Sequence, residues 1–163
     1  MSEIRYREQA LDAIARKTLK EYDSSLLLAC PRAVPIEDII ENYFKLTIEY
    51  QFLRKNGRIL GETIFDDTYV PIYDMEKEEY TVIPVKGGTI IIDAGLLKCR
   101  GNGRLRFTCA HELAHWLIHR ELYIGSGEAA AMTKAEKSSD DDNLIERQAD
   151  MLSSSLLMPI GQV

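Results

Sequence analysis

All three histidines of the chain, His111, His115 and His119, fall inside the string CAHELAHWLIHR at residues 109–120. His111 and His115 are four residues apart, which on an α-helix puts them about 40° apart around the axis and one turn along it. Two imidazoles so placed can reach one tetrahedral ion. Zinc suits them, because it takes neutral imidazole nitrogens and leaves a position open for water. Glu112 lies on the flank of the same face, where it can act as general base toward the attacking water without becoming a ligand. That chemistry is metal-assisted hydrolysis. A lone histidine would be read as an ordinary surface or core residue; the complete H-E-x-x-H string, on a predicted helix that follows a strand, reverses that reading.

A third ligand must come from elsewhere. His119 is a poor choice, because eight residues of continuous helix span about 12 Å, too far from His111 for one ion held at about 2 Å. It is expected near the helix end, where a partly protonated imidazole meets the backbone dipoles. The best source is NLIERQADMLSSSLLMP, residues 143–159, where Glu146 and Asp150 share a helical face beside an apolar stripe of Ile145, Ala149, Leu152 and Leu156. Glu146 can give the ion a carboxylate, and Asp150 can accept the Nδ1 proton of a ligating histidine and orient it. Either carboxylate of that helix alone also reads as part of a solvated acidic face, and Glu121 and Glu128 are weaker alternatives because they sit near or in the linker. Cys109, Leu113, Trp116 and Leu117 form a stripe on the back of the histidine helix, so Cys109 reads as core and not as a nucleophile.

The elements that must position these groups follow from periodicity. Helices are predicted over 3–44. The first carries Ile14 as its main anchor beside Ala10 and Leu11, and the second starts near Pro35 and buries Ile36, Ile39, Ile40 and Tyr43. Leu46, Ile48, Tyr50 and Phe52 alternate with polar residues, as a strand does, and RKNGR at 54–58 predicts a hairpin turn. ILGETIF, TYVPIY, YTVIPV and GGTIIIDA are further strand candidates, with Pro71 and Pro84 favouring edges. Residues 46–93 thus read as a small, mainly antiparallel or mixed sheet. The H-E-x-x-H helix covers 105–119, an exposed linker 121–142, and a C-terminal helix 143–157. The class is α+β, one domain over residues 1–163.

Composition narrows the setting. A 45% hydrophobic and 28% charged chain is ordinary for a soluble globular protein, and a net charge of −6 argues against a nonspecific nucleic-acid surface. Only a short basic run at Arg100, Arg104 and Arg106 qualifies that. Cys30, Cys99 and Cys109 form no CxxC and leave an odd count, which favours a reducing compartment over a disulfide framework. No apolar run has the length of a membrane span and the N-terminal residues show no signal-peptide pattern, so a cytoplasmic location is expected.

Taken together, GGTIIIDAGL, RLRFTCAHELAHWLIH and NLIERQADMLSSSLLMP resemble the ImmA/IrrE family of bacterial zinc metallopeptidases. The resemblance runs from Pro31 to Pro159 and is densest after Ile90. The family's arginine-phenylalanine-threonine lead-in falls on Arg106, Phe107 and Thr108, its late E-x-x-A motif on Glu146 and Ala149 with Asp150 following, and its closing motif on Leu156–Pro159. Cys109 and Ala114 stand where the family often has leucine and glycine, and Met151, Leu152 and Ser153 also depart from it, changes that alter packing more than ligation. The resemblance implies a zincin-like domain with one zinc per chain held by His111, His115 and Glu146. It also implies a protein substrate, a helix-turn-helix repressor whose cleavage relieves repression of a mobile element or stress response. No helix-turn-helix of the chain's own is evident, so no direct nucleic-acid or membrane partner is expected. Tyr123 or His119 is nominated, on nearness in sequence alone, to stabilise the oxyanion. The competing reading is a non-catalytic module, an anti-repressor that binds a regulator and keeps the zinc; the presence of Glu112 speaks against it, since a structural zinc needs no base.

Overall fold

The computed structural model describes residues 7–27, 32–123, 131–133 and 140–158. Helix α1 spans Glu8–Asp23 and turns its buried residues Leu11, Ala15, Thr18 and Leu19 inward, with a 3-10 turn at Ser24–Leu27. Ile14 flanks this stripe half-buried; the anchors are Leu11 and Leu19. Helix α2 begins at Ile36–Asp38 and continues as a π-helical turn over Ile39–Tyr43, burying Ile36, Ile39 and Ile40.

The strand region divides into two sheets. A four-stranded mixed sheet has the order β1 (Thr47–Gln51), β5 (Thr89–Asp93), β2 (Gly61–Ile64), β6 (Ala131–Thr133), and a separate hairpin pairs β3 (Thr68–Asp74) with β4 (Glu79–Val85). Strand β5 is central, parallel to β1 and antiparallel to β2. Its sequence TIIID is buried at every position because both faces are covered. Ile90 and Ile92 enter the main core with the helices, while Ile91 joins Leu53, Ile59, Ile64, Val70 and Val85 in a second cluster to which the β3–β4 hairpin contributes.

RKNGR does form a turn, closed by Gly57 N–H donating to the Arg54 carbonyl at 3.1 Å, with Gly57 at φ +68. The strands on either side are not hairpin partners, because β5 lies between β1 and β2. The intervening segment is tied to the end of β5 instead. Asp93 accepts from Leu53 N–H at 3.2 Å, and its own N–H donates to the Leu60 carbonyl at 2.8 Å. Pro71 and Pro84 both lie on the two-stranded hairpin, where among the described residues each strand has a free edge.

After a 3-10 turn at Ala94–Lys98, α3 runs over Gly103–Ile118 and α4 over Arg120–Tyr123. The expected linker carries secondary structure, since β6 adds an edge strand to β2 through Thr63↔Met132 and its neighbours. Backbone pairing with an existing strand satisfies amides that a bare linker would leave to water. Residues 124–130 and 134–139 of that segment, Glu128 among them, lie outside the described residues, as does Cys30. Helix α5 spans Asp140–Leu157 and packs on α3 and α1 through buried Ala149, Leu152 and Leu156. No described helix is long and apolar enough to cross a membrane.

Candidate metal centre

Helix α3 is enclosed by the sheet on one side and α5 on another, and Thr108 to His115 are all buried. The helix is therefore covered all round for two turns. Cys109, Ala110 and Ala114 are small enough to let the neighbouring elements approach closely, and all three are fully buried.

Within this enclosure His111 Nε2 and His115 Nε2 lie 3.0 Å apart. Glu146 reaches them from α5, with Oε2 2.7 Å from His111 Nε2 and Oε1 3.4 Å from His115 Nε2. Two ligands of one tetrahedral zinc, each at about 2.0–2.2 Å, stand about 3.3 Å from each other. The observed separations bracket that value, and the chemistry is right: two imidazoles and a carboxylate. His111, His115 and Glu146 form a cluster able to coordinate a metal ion. Glu146 gets there because Ala149, one turn on, is locked into the core between α5 and α3.

The atoms behind the donors are also engaged. His111 Nδ1 lies 2.7 Å from Asp150 Oδ1, the placement expected for an orienting carboxylate. His115 Nδ1 lies 2.9 Å from His119 Nδ1, and His119 Nε2 lies 2.9 Å from Gln148 Oε1. Burial holds the His119 imidazole down to about 4, with the Gln148 bond pulling the other way. This corrects the expectation of a partly protonated side chain at the helix end: His119 is the C-cap of α3, yet the turn into α4 and the cover of α5 keep it fully buried and neutral. Both its ring nitrogens face protein partners, so it backs His115 and does not face a substrate carbonyl. Tyr123 closes α4, but its side chain lies outside the described residues. Glu121 is exposed on α4.

Glu112 points toward the sheet. The Thr63 hydroxyl of β2 contacts Glu112 Oε2 and also lies 3.0 Å from the Glu112 carbonyl. Gly61, two residues earlier, explains its own identity: a Cβ there would lie 2.8 Å from Glu112 Oε1 and 2.9 Å from its Cγ. Sequence reasoning missed Gly61, Thr63 and Gln148. Only the H-x-x-x-H spacing of His115 and His119 hinted at a pair, and nothing local marked the other three.

Cys109 is core as read, its thiol pushed up to about 12 by burial, with the charges of Glu37, Glu112 and Glu41 adding. Arg106 leaves the short basic run, since its guanidinium donates to the Val34 carbonyl at 2.7 Å. A cavity of about 550 Å³ lined by Val34, Glu37, Asp38, Glu41, Asn102 and Arg106 sits at the start of α3 and contains none of the converging donors.

An H-E-x-x-H helix against a mixed sheet, with a glutamate supplied by a later helix, is a zincin-like arrangement within an α+β fold. Residues 98–162 match the family model described as IrrE N-terminal-like domain, Peptidase_M78. The matched stretch includes α3 and α5, and so every residue of the donor cluster. No curated protein matches the chain.

Proposed function

We propose that this chain is a zinc-dependent regulatory endopeptidase in which residues 1–163 work as one domain. The observation that carries the reading is the convergence of His111 Nε2, His115 Nε2 and the Glu146 carboxylate, with a buried Glu112 next to His111 in the chain and not among the donors. Zinc held by those three residues would supply a Lewis acid that polarises the scissile carbonyl and acidifies the attacking water. Glu112 takes a proton from that water as its oxygen bonds to the carbonyl carbon, and delivers the proton to the amine nitrogen as the C–N bond breaks. The Thr63 hydroxyl steadies the Glu112 carboxylate, and Asp150 keeps His111 in the tautomer whose Nε2 is free to ligate. An extended substrate pairs with an outer edge of the four-stranded sheet, because β5 at its centre already has a neighbour on each side.

Likeness to the IrrE-like family supports a protein substrate, which we take to be a cytoplasmic helix-turn-helix repressor. The net charge of −6 suits a basic partner. Elemental analysis tests the centre: about one zinc per chain in the wild type and clear loss in Glu146→Ala. Cleavage of a panel of helix-turn-helix regulators, read by intact mass, tests the activity. Glu112→Gln should keep zinc and partner binding while losing cleavage. Unchanged processing by that variant would leave the anti-repressor module as the better reading.

A further inference from the structure

We propose that His119 and Gln148 form a relay that fixes the tautomer of His115, making His119 a positioning residue and not a ligand. The consequence for zinc rests on the peptidase reading above; the relay itself is built only from this chain's atoms.

The direction of the relay follows from its fixed end on α5. Gln148 Oε1 lies 2.9 Å from His119 Nε2. An amide oxygen only accepts, so His119 Nε2 carries the proton. A neutral imidazole has one N–H, which leaves His119 Nδ1 as an acceptor. His115 Nδ1, 2.9 Å away, must then donate to it. The lone pair of His115 is thereby left on Nε2, the atom 3.0 Å from His111 Nε2 and 3.4 Å from Glu146 Oε1. His115 and His119 are 0% exposed and Gln148 is 2% exposed, so bulk water does not compete for these bonds.

His111 reaches the same tautomer by a different device, the Asp150 carboxylate, whose side chain is half exposed. A second carboxylate at the position of Gln148 would place another negative charge inside the core, at a desolvation cost. An amide and a neutral imidazole orient His115 without adding charge. The two ligand histidines are thus oriented by chemically distinct partners, one ionic at the rim and one neutral in the interior.

Two measurements test the relay. In two-bond proton–nitrogen spectra of metal-free protein with isotope-labelled histidine at neutral pH, His115 should appear protonated on Nδ1 and His119 on Nε2. In competition with a chromophoric chelator, Gln148→Leu should bind zinc about 10–100-fold more weakly than wild type, while Gln148→Glu, which keeps an acceptor oxygen, should stay close to it. A residue that merely filled space would give the opposite order, because leucine packs into a buried site at less cost than a carboxylate. A proton on Nε2 of His115, or a Gln148→Leu protein with wild-type zinc affinity, would overturn the relay. If the wild type takes up no zinc at all, the peptidase reading fails, and the tautomers alone decide the relay.

Discussion

Gly61→Ala separates the base from the metal. The added Cβ would stand 2.8 Å from Glu112 Oε1, 2.9 Å from Glu112 Cγ and 3.0 Å from Thr108 Cγ2, whereas ordinary contact begins at 3.4 Å. Gly61 sits in β2 without a positive φ, so the backbone accepts alanine and the whole conflict falls on the side chains. Glu112 is fully buried and must recede by roughly 0.6 Å or more to restore contact distance. A displacement of about 1 Å in a catalytic group costs on the order of 10²-fold in rate. Overpacking of about 1–3 kcal/mol is partly offset by about 0.4–1 kcal/mol from a stiffer unfolded chain. The net of up to about 2.6 kcal/mol lowers Tm by up to about 10 °C for a chain of this length. The donors His111, His115 and Glu146 are untouched, so zinc content should match wild type. The assay is hydrolysis of an internally quenched peptide library at equal zinc occupancy, with Tm measured alongside. Gly57→Ala is the control: its Cβ meets nothing within 4 Å, but its φ of +68 disfavours alanine. It should lose about 1–2 kcal/mol of stability and no activity per folded molecule. Wild-type turnover by zinc-loaded Gly61→Ala would show that Glu112 does not act from where it lies, and zinc loss in step with activity would show that the strain passes to the ligands.

Other outcomes follow from the same contacts. Asp150→Asn removes the charged partner 2.7 Å from His111 Nδ1 and should weaken zinc about 10–100-fold in a chelator competition, with little change in the fold. Leu113→Ala empties a fully buried position between the sheet and the helices and should cost about 2–5 kcal/mol, visible as a lower urea midpoint at unchanged slope. For Cys109 the folded thiol is raised to about 12 from a reference of 9.0, so the unfolded chain loses its proton first; the stability contribution is whole below pH 9 and fades between there and about 12. Alkylation at pH 8.5 should therefore modify exposed Cys99 and leave Cys109 unlabelled until denaturant is added, and labelling of Cys109 in the native protein would contradict its burial.

The pairing of His111 with His115 could be read directly because four-residue spacing on a helix is local geometry that packing does not rewrite, whereas the turn of the Glu112 carboxylate toward Thr63 and Gly61 was set by the sheet. The apolar stripe of α5 was legible for a similar reason: side-chain period reports which faces must leave water. Glu146 and Asp150 were legible only as candidates, since what brings them to His111 is the contact of α5 with α3 across a chain separation that no local pattern spans. The same holds for the order β1-β5-β2-β6. A turn at RKNGR says that the chain reverses, but not that the later strand β5 will wedge between the two it joins, a choice made by burying Ile90 and Ile92 on one side and Ile91 on the other. His119 shows the divide within one residue. Its distance from His111 along the helix excluded it as a shared ligand, yet its burial, its neutrality and its partner Gln148 come from the cover of α5, because desolvation and hydrogen-bond complementarity depend on which distant atoms fold alongside.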